Sequence, residues 1–176
     1  SADIYARECA AGRAPVTMAN AERAILARLR AMREEDLAPF DGGGEGLYHR
    51  FYDAVQRETT IDGILAAAKS KRYAYARLRR LLLAAYLGVT PEDIPQRVPY
   101  LRVLACNARG RKVLRRMKTT AAAPVLTRSA DVRRLDADAQ RLFALTARAE
   151  EQYTLAYPSL AAAKPGSAWT TDPVIL

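Results

Sequence analysis

Apolar residues recur at three- and four-residue spacing through most of the 176-residue chain. That spacing is the signature of helices burying one face. Residues 20–33 place Ala24, Ile25, Leu29 and Met32 on one side, with arginines opposite. A second helix is expected over about 45–57, with Leu47, Phe51, Ala54 and Val55 inward. Thr59 with Asp62 three residues on reads as a helix start, and a short helix follows to about Lys69. Residues 71–87 give the strongest pattern. At ~100° per residue, Ala74, Tyr75, Leu78, Leu81, Leu82, Ala85 and Tyr86 share an arc of about 140°. Arg72, Arg77, Arg79 and Arg80 fall opposite, and Gly88 supplies the stop. Thr90-Pro91 opens another turn, with Glu92 and Asp93 suited to a helix N-terminus.

The period then changes. Residues 98–106 read as a short buried strand, 107–110 as a turn, 111–118 as a helix and 124–127 as a second strand. Strand, helix and strand within about 30 residues suggest a small parallel βαβ unit. Asp136 caps a long helix over about 137–156, packed through Leu142, Leu145, Ala149, Tyr153 and Ala156. Residues 1–16 read as an arm, Gly42-Gly43-Gly44 as a linker and 158–176 as a surface-hugging tail. The fold class expected is α+β, predominantly α-helical, with a two-stranded parallel βαβ unit at about residues 98–127.

Charge sharpens this picture. Lys and Arg number 28 against 19 acids, but residues 63–130 alone hold 15 bases and two acids, a balance of +13. One contiguous basic stretch is the footprint of a polyanion partner, RNA or DNA ahead of anionic lipid. Six bases and two tyrosines lie within Lys69-Ser70-Lys71-Arg72-Tyr73-Ala74-Tyr75-Ala76-Arg77-Leu78-Arg79-Arg80. Guanidinium groups fork onto phosphate and tyrosines stack on unpaired bases. Tyr75 is assigned to the core and Tyr73 to stacking. A second cluster, Arg109, Arg111, Lys112, Arg115, Arg116 and Lys118, lies on the expected crossover helix.

Other chemistry is poorly supported. The one histidine, His49, and the distant Cys9 and Cys106 make neither a zinc site nor a nucleophile–base pair. Gly42-Gly43-Gly44 lacks the Lys-Ser/Thr of a phosphate loop. No apolar run approaches the roughly 20 residues of a membrane span, and the scattered cysteines suit a reducing, cytoplasmic compartment. The chain opens on Ser and reads as processed or excised.

Five short motifs occur in order: Glu45-Gly46-Leu47 with Arg50; Ser70-Lys71-Arg72-Tyr73 with Arg77 and Arg80; Pro99-Tyr100-Leu101-Arg102-Val103-Leu104 with Asn107 and Gly110; Pro124-Val125-Leu126-Thr127; and Thr170-Thr171-Asp172-Pro173-Val174-Ile175. In this the chain resembles the C-terminal region of the bacterial tRNA(Met) cytidine acetate ligase family. The resemblance implies a parent enzyme whose N-terminal nucleotidyltransferase domain carries a HIGH-type motif. That domain would use ATP, with Mg, to activate acetate for the wobble cytidine of elongator tRNA(Met). No cofactor is expected in this chain, which contains no His-x-Gly-His. Residues 1–41 would be the arm and helix following the missing catalytic domain, and 42–176 a helical C-terminal domain. Arg50, Asn107 and Gly110 are family-motif positions. Ala74 and Ala105-Cys106 depart from the Thr and Gly-Phe common in relatives.

The function expected is tRNA binding, inert alone, through Lys69, Lys71, Arg72, Tyr73, Arg77, Arg79, Arg80, Arg109, Arg111, Lys112, Arg115 and Arg116. The partners are tRNA and the catalytic domain of the same polypeptide. The alternatives are a domain that completes the nucleotide pocket of that catalytic half, or an unrelated basic RNA-binding module.

Overall fold

In the computed structural model, residues 2–41, 46–170 and 173–175 are described. The expected linker Gly42-Gly43-Gly44, Glu45 of the first motif and Thr171-Asp172 of the last lie outside the described residues. The chain divides into two units, residues 1–93 with 152–163 and residues 94–151 with 164–176.

The first unit is helical. It contains α1 (Ala2–Ala10), α2 (Met18–Arg30), the single turn α3 (Glu34–Leu37), α4 (Leu47–Arg57), α5 (Ile61–Ala68) and α6 (Tyr75–Leu87). Thr17 caps α2 and Thr60 caps α5, each through a side-chain oxygen accepting a backbone N–H three residues on. The α5 cap is therefore Thr60, one residue beyond the expected Thr59. Gly88 ends α6 in the left-handed region at φ +69°, where a side chain would be strained. The core joins Ile25 and Leu29 of α2, Leu47, Phe51 and Val55 of α4, Ile64 and Leu65 of α5, and Leu78 and Leu82 of α6. Each such side chain contributes roughly 1.5–3 kcal/mol by leaving water. Because α2 is part of this core, the expected division at 41/42 does not coincide with the observed one.

The second unit supplies the β-structure. Strand β1 (Leu101–Arg102) pairs parallel with β3 (Val125–Leu126), and α7 (Ala108–Thr120) crosses between them. The register sets Leu101 against Val125, with Leu101 N–H donating to the Pro124 carbonyl at 2.8 Å. This is the expected βαβ unit. The segment expected as one strand over 98–106 is instead two, because β2 (Ala105–Cys106) leaves the first sheet and pairs parallel with β4 (Val174–Ile175). The C-terminal segment is therefore a sheet partner rather than a surface tail. Helix α8 (Ala137–Thr154) buries Ala139, Phe143 and Ala147 against Leu126, Val132 and Leu135, and the turn α9 (Ser167–Thr170) adds Ala168. Of the face expected inward over 137–156, Leu145 of α8 and Ala156 beyond its end are buried while Tyr153 is exposed. Thr90-Pro91 initiates only one 3-10 turn, closed by Asp93 accepting from the Thr90 N–H at 2.8 Å.

Candidate nucleic-acid interface

The two basic clusters differ in what surrounds them. In the first, the hydroxyl of Ser70 accepts the backbone N–H of Tyr73 at 3.2 Å. This local turn competes with helix formation, so α6 starts at Tyr75 rather than residue 71 and a helical phase carried back to Tyr73 does not apply. The two tyrosine assignments are thereby exchanged: Tyr73 is 7% exposed and Tyr75 39%. The guanidinium groups of Arg72 and Arg77 each lie 5.7 Å from the Tyr73 ring centre. Tyr73 is thus a buried platform for cations and not a stacking surface for bases.

The arginines of α6 are not one stripe. At about 100° per residue, Arg77 and Arg79 flank the buried face on opposite sides, roughly 160° apart. Arg77 is ion-paired at 3.2 Å with Asp41, whose side chain is 1% exposed. Arg79 reaches Met18 Sδ at 3.3 Å. Lys69, Lys71, Arg72 and Arg80 remain exposed. The motif residue Arg50 is structural: it donates to the carbonyls of Ala68 at 2.8 Å, Ala67 at 3.1 Å and Lys69 at 3.3 Å. It thereby satisfies the C-terminal carbonyls of α5.

In the second cluster Asn107 caps α7, its Oδ1 accepting the Gly110 N–H at 2.9 Å. A Cβ at Gly110 would stand 3.2 Å from Cys106 Cβ, so glycine lets the first turn lie against β2. These two motif residues therefore seat the helix. Gly110, Leu114 and Met117 are half-buried along one side. Arg109, Arg111, Lys112, Arg115, Arg116 and Lys118 are all exposed and occupy the remaining half of the circumference, within roughly 180°. Helix α7 has no buried residue and no acid. Like charges three or four residues apart repel, and Arg109 and Arg111 near its start oppose the helix dipole. This arrangement is unfavourable to the helix by itself.

Beside α7 lies a cleft of about 400 Å³. Arg111, Arg115, Lys118 and Arg128 stand around it, and Val103, Leu114 and Pro173 give it apolar walls. Lys118 donates to Thr127 Oγ1 at 2.7 Å. Asp131 accepts the backbone N–H groups of Thr127 and Arg128 at 3.1 Å each and lies 3.8 Å from the Arg128 guanidinium. Burial opposes ionisation of Asp131, but the two N–H groups with the charges of Arg128 and Lys118 prevail and hold its carboxyl below the ordinary value. Among the described residues no carboxylate pairs with Arg111 or Arg115. Thr127 and Arg128 join the site from a loop after β3, a proximity that no helical periodicity encodes. Arg102, from the third motif, is held by Glu150 and the Ala168 carbonyl and lies 5.1 Å over the Phe143 ring.

His49 binds Glu34 at 2.5 Å on the surface. Among the described residues no group of three His, Cys, Asp or Glu could hold a metal ion, and no helix is long and apolar enough to cross a membrane.

Comparison with known proteins gives a consistent result. The family model described as HIGH Nucleotidyl Transferase matches residues 1–167. The family likeness therefore lies in this chain itself, whereas the sequence resemblance places the nucleotidyltransferase part in a preceding domain. A tRNA(Met) cytidine acetate ligase of Acetivibrio thermocellus is 27% identical over all of this chain and 44% of its own length. One from Kosmotoga olearia is 37% identical over 70% of this chain and 30% of its length. A crystal structure of Thermotoga maritima TmcAL, apo form, superposes with a TM-score of 0.90 at 24% identity over 99% of this chain and 44% of that one. A second crystal form of that protein, bound with alpha-thio ATP, gives 0.89. The chain thus spans less than half the length of the relatives it matches.

Proposed function

The chain belongs to the HIGH nucleotidyl transferase family, and from that membership we propose that it holds the tRNA on which a longer, cytoplasmic parent acts. The relatives carry the name tRNA(Met) cytidine acetate ligase, which makes tRNA the polyanion to consider first. The observation that carries the reading is α7, with six exposed cations, no acid and no buried side chain. Such a helix gains most when phosphates neutralise it and release counterions.

The residues assigned to RNA are Arg109, Arg111, Lys112, Arg115, Arg116 and Lys118 of α7. Lys69, Lys71, Arg72, Arg79 and Arg80 are exposed cations of the first unit. Tyr73 and Arg77 are withdrawn from the contact set, since one is buried and the other serves Asp41. ATP with Mg is the group expected of the family, and the family match covers residues 1–167 of this chain rather than a preceding domain. The residues present here do not fit that group: the single histidine is engaged with Glu34, and the sequence contains no His-x-Gly-His.

The test is a salt series of tRNA binding to this chain. Six phosphate contacts should give a log–log slope of about −4 to −5, whereas Arg111→Ala with Arg115→Ala should flatten it by roughly 1.4–1.8. The chain's circular dichroism should not change, because neither side chain is buried. A slope indifferent to both substitutions removes α7 from the interface, and no binding at low salt removes the reading itself.

A further inference from the structure

We propose that the cleft beside α7 takes one unstacked nucleotide of a single-stranded RNA segment, its phosphate on Arg111, Arg115 and Lys118 and its base against Val103, Leu114 and Pro173. The proposal rests on the reading of α7 as an RNA-binding helix and narrows it to a class of substrate. A convex basic helix alone would hold any phosphate backbone, duplex or single-stranded. The cleft adds a concavity of about 400 Å³, within the range of small-ligand sites.

Its chemistry is divided as a nucleotide requires. Arg111, Arg115 and Lys118 follow one another at positions i, i+4 and i+7 of α7 and line the same opening. They span roughly 10 Å of helix axis, enough to meet a phosphate and its neighbour. The walls between them and β1 are aliphatic, which suits the face of a base and not a second phosphate. Among the described residues no aromatic ring lines the cleft, so base contact falls to the aliphatic walls and to guanidinium planes, which also stack on bases.

The opposite rim fixes polarity. Arg128 is partly neutralised by Asp131 at 3.8 Å, so the uncompensated charge lies on the α7 side. There Arg111 and Arg115 have no carboxylate partner among the described residues. A fully stacked duplex offers its phosphates to α7 but no free base to the cleft, and it gains nothing from the walls. Single-stranded loops, whose bases can be splayed out, gain both.

The experiment compares a short single-stranded oligoribonucleotide, a blunt duplex of the same strand length and a free mononucleotide, each titrated into the wild-type chain and Val103→Phe. The added ring fills the cleft and leaves every cation in place. Single-stranded RNA should bind the wild type measurably tighter than duplex. Val103→Phe should abolish that preference while duplex affinity stays unchanged. A 2-aminopurine within the single strand supplies an independent readout: its emission should change on binding wild-type protein, whatever becomes of the variant's fold.

Equal affinity for both RNAs, with silent 2-aminopurine, overturns the nucleotide cleft and leaves α7 as a duplex-tolerant phosphate binder. Mononucleotide binding as tight as the oligonucleotide overturns the polynucleotide occupant. If neither RNA binds at low salt, the reading of α7 fails together with this refinement.

Discussion

One buried carboxylate organises two elements of the first unit, and removing it should cost more than any exposed basic residue. Asp41 Oδ2 accepts the N–H of Leu47, the first residue of α4, at 3.0 Å, and Oδ1 receives Arg77 Nη2 of α6 at 3.2 Å. The Asp41 side chain is 1% exposed and that of Arg77 28%. Asp41→Ala strands the N–H of fully buried Leu47, worth about 1–3 kcal/mol. It also removes a partner from Arg77, for which about 3–5 kcal/mol applies to fully buried pairs and less to a guanidinium that reaches water. A total near 3 kcal/mol follows. Arg77→Met keeps the aliphatic stem and leaves Asp41 with one donor, so about 2 kcal/mol is expected. Because the two groups touch, their effects should not add; a coupling of about 1–2 kcal/mol is expected in the double variant. Urea unfolding followed by far-ultraviolet circular dichroism measures all three. Single variants each within 0.5 kcal/mol of wild type, or a strictly additive double variant, would refute the account of Asp41 as a shared anchor.

Tyr86 donates its hydroxyl to the Gln152 carbonyl at 2.8 Å from a ring that is 5% exposed, and burial raises its pKa; Tyr86→Phe should cost about 1 kcal/mol in urea unfolding. Asp131 titrates below its ordinary value in the folded chain, so its contribution is complete above the unfolded carboxylate pKa and disappears as pH falls through the folded one. The stability gap between wild type and Asp131→Asn should therefore close as pH falls below the ordinary carboxylate range, and a gap that persists at the acid end would contradict that assignment.

Amphipathic helices were legible because burial writes itself into spacing. Leu47, Phe51, Ala54 and Val55 of α4, and Leu78, Leu81, Leu82, Ala85 and Tyr86 of α6, are all buried as their periods imply. The phase failed where a side chain competed with the helix, at Ser70, where one turn exchanged the roles of Tyr73 and Tyr75, and at the end of α8, where Tyr153, expected inward, is exposed. The pairing of β2 with β4 left no trace because two-residue strands show no alternation and the partners are nearly 70 residues apart. The cleft was half legible. The α7 cations follow from composition, whereas Thr127, Arg128 and Pro173 arrive through loops whose course no local pattern specifies. Asp41 was invisible for the same reason: its partners are 6 and 36 residues away.

The cations of α7 are its one systematic conflict with local helix chemistry, and that conflict can be measured. Arg109 stands in the first turn, where a positive charge opposes the dipole, and Lys112 three residues on repels it. Arg109→Glu reverses both effects. It should gain about 0.3–1 kcal/mol from the dipole and about 0.2–0.5 kcal/mol from pairing with Lys112. The same substitution takes one cation from the phosphate-facing surface and adds an anion, so RNA affinity should fall and the salt slope should flatten by at least about 0.7. A variant that is more stable and binds worse is the pattern of a residue retained for its partner. If Arg109→Glu instead destabilises the chain, the arginine has a structural role. If it stabilises and RNA binding is unmoved, the basic face of α7 serves some other polyanion.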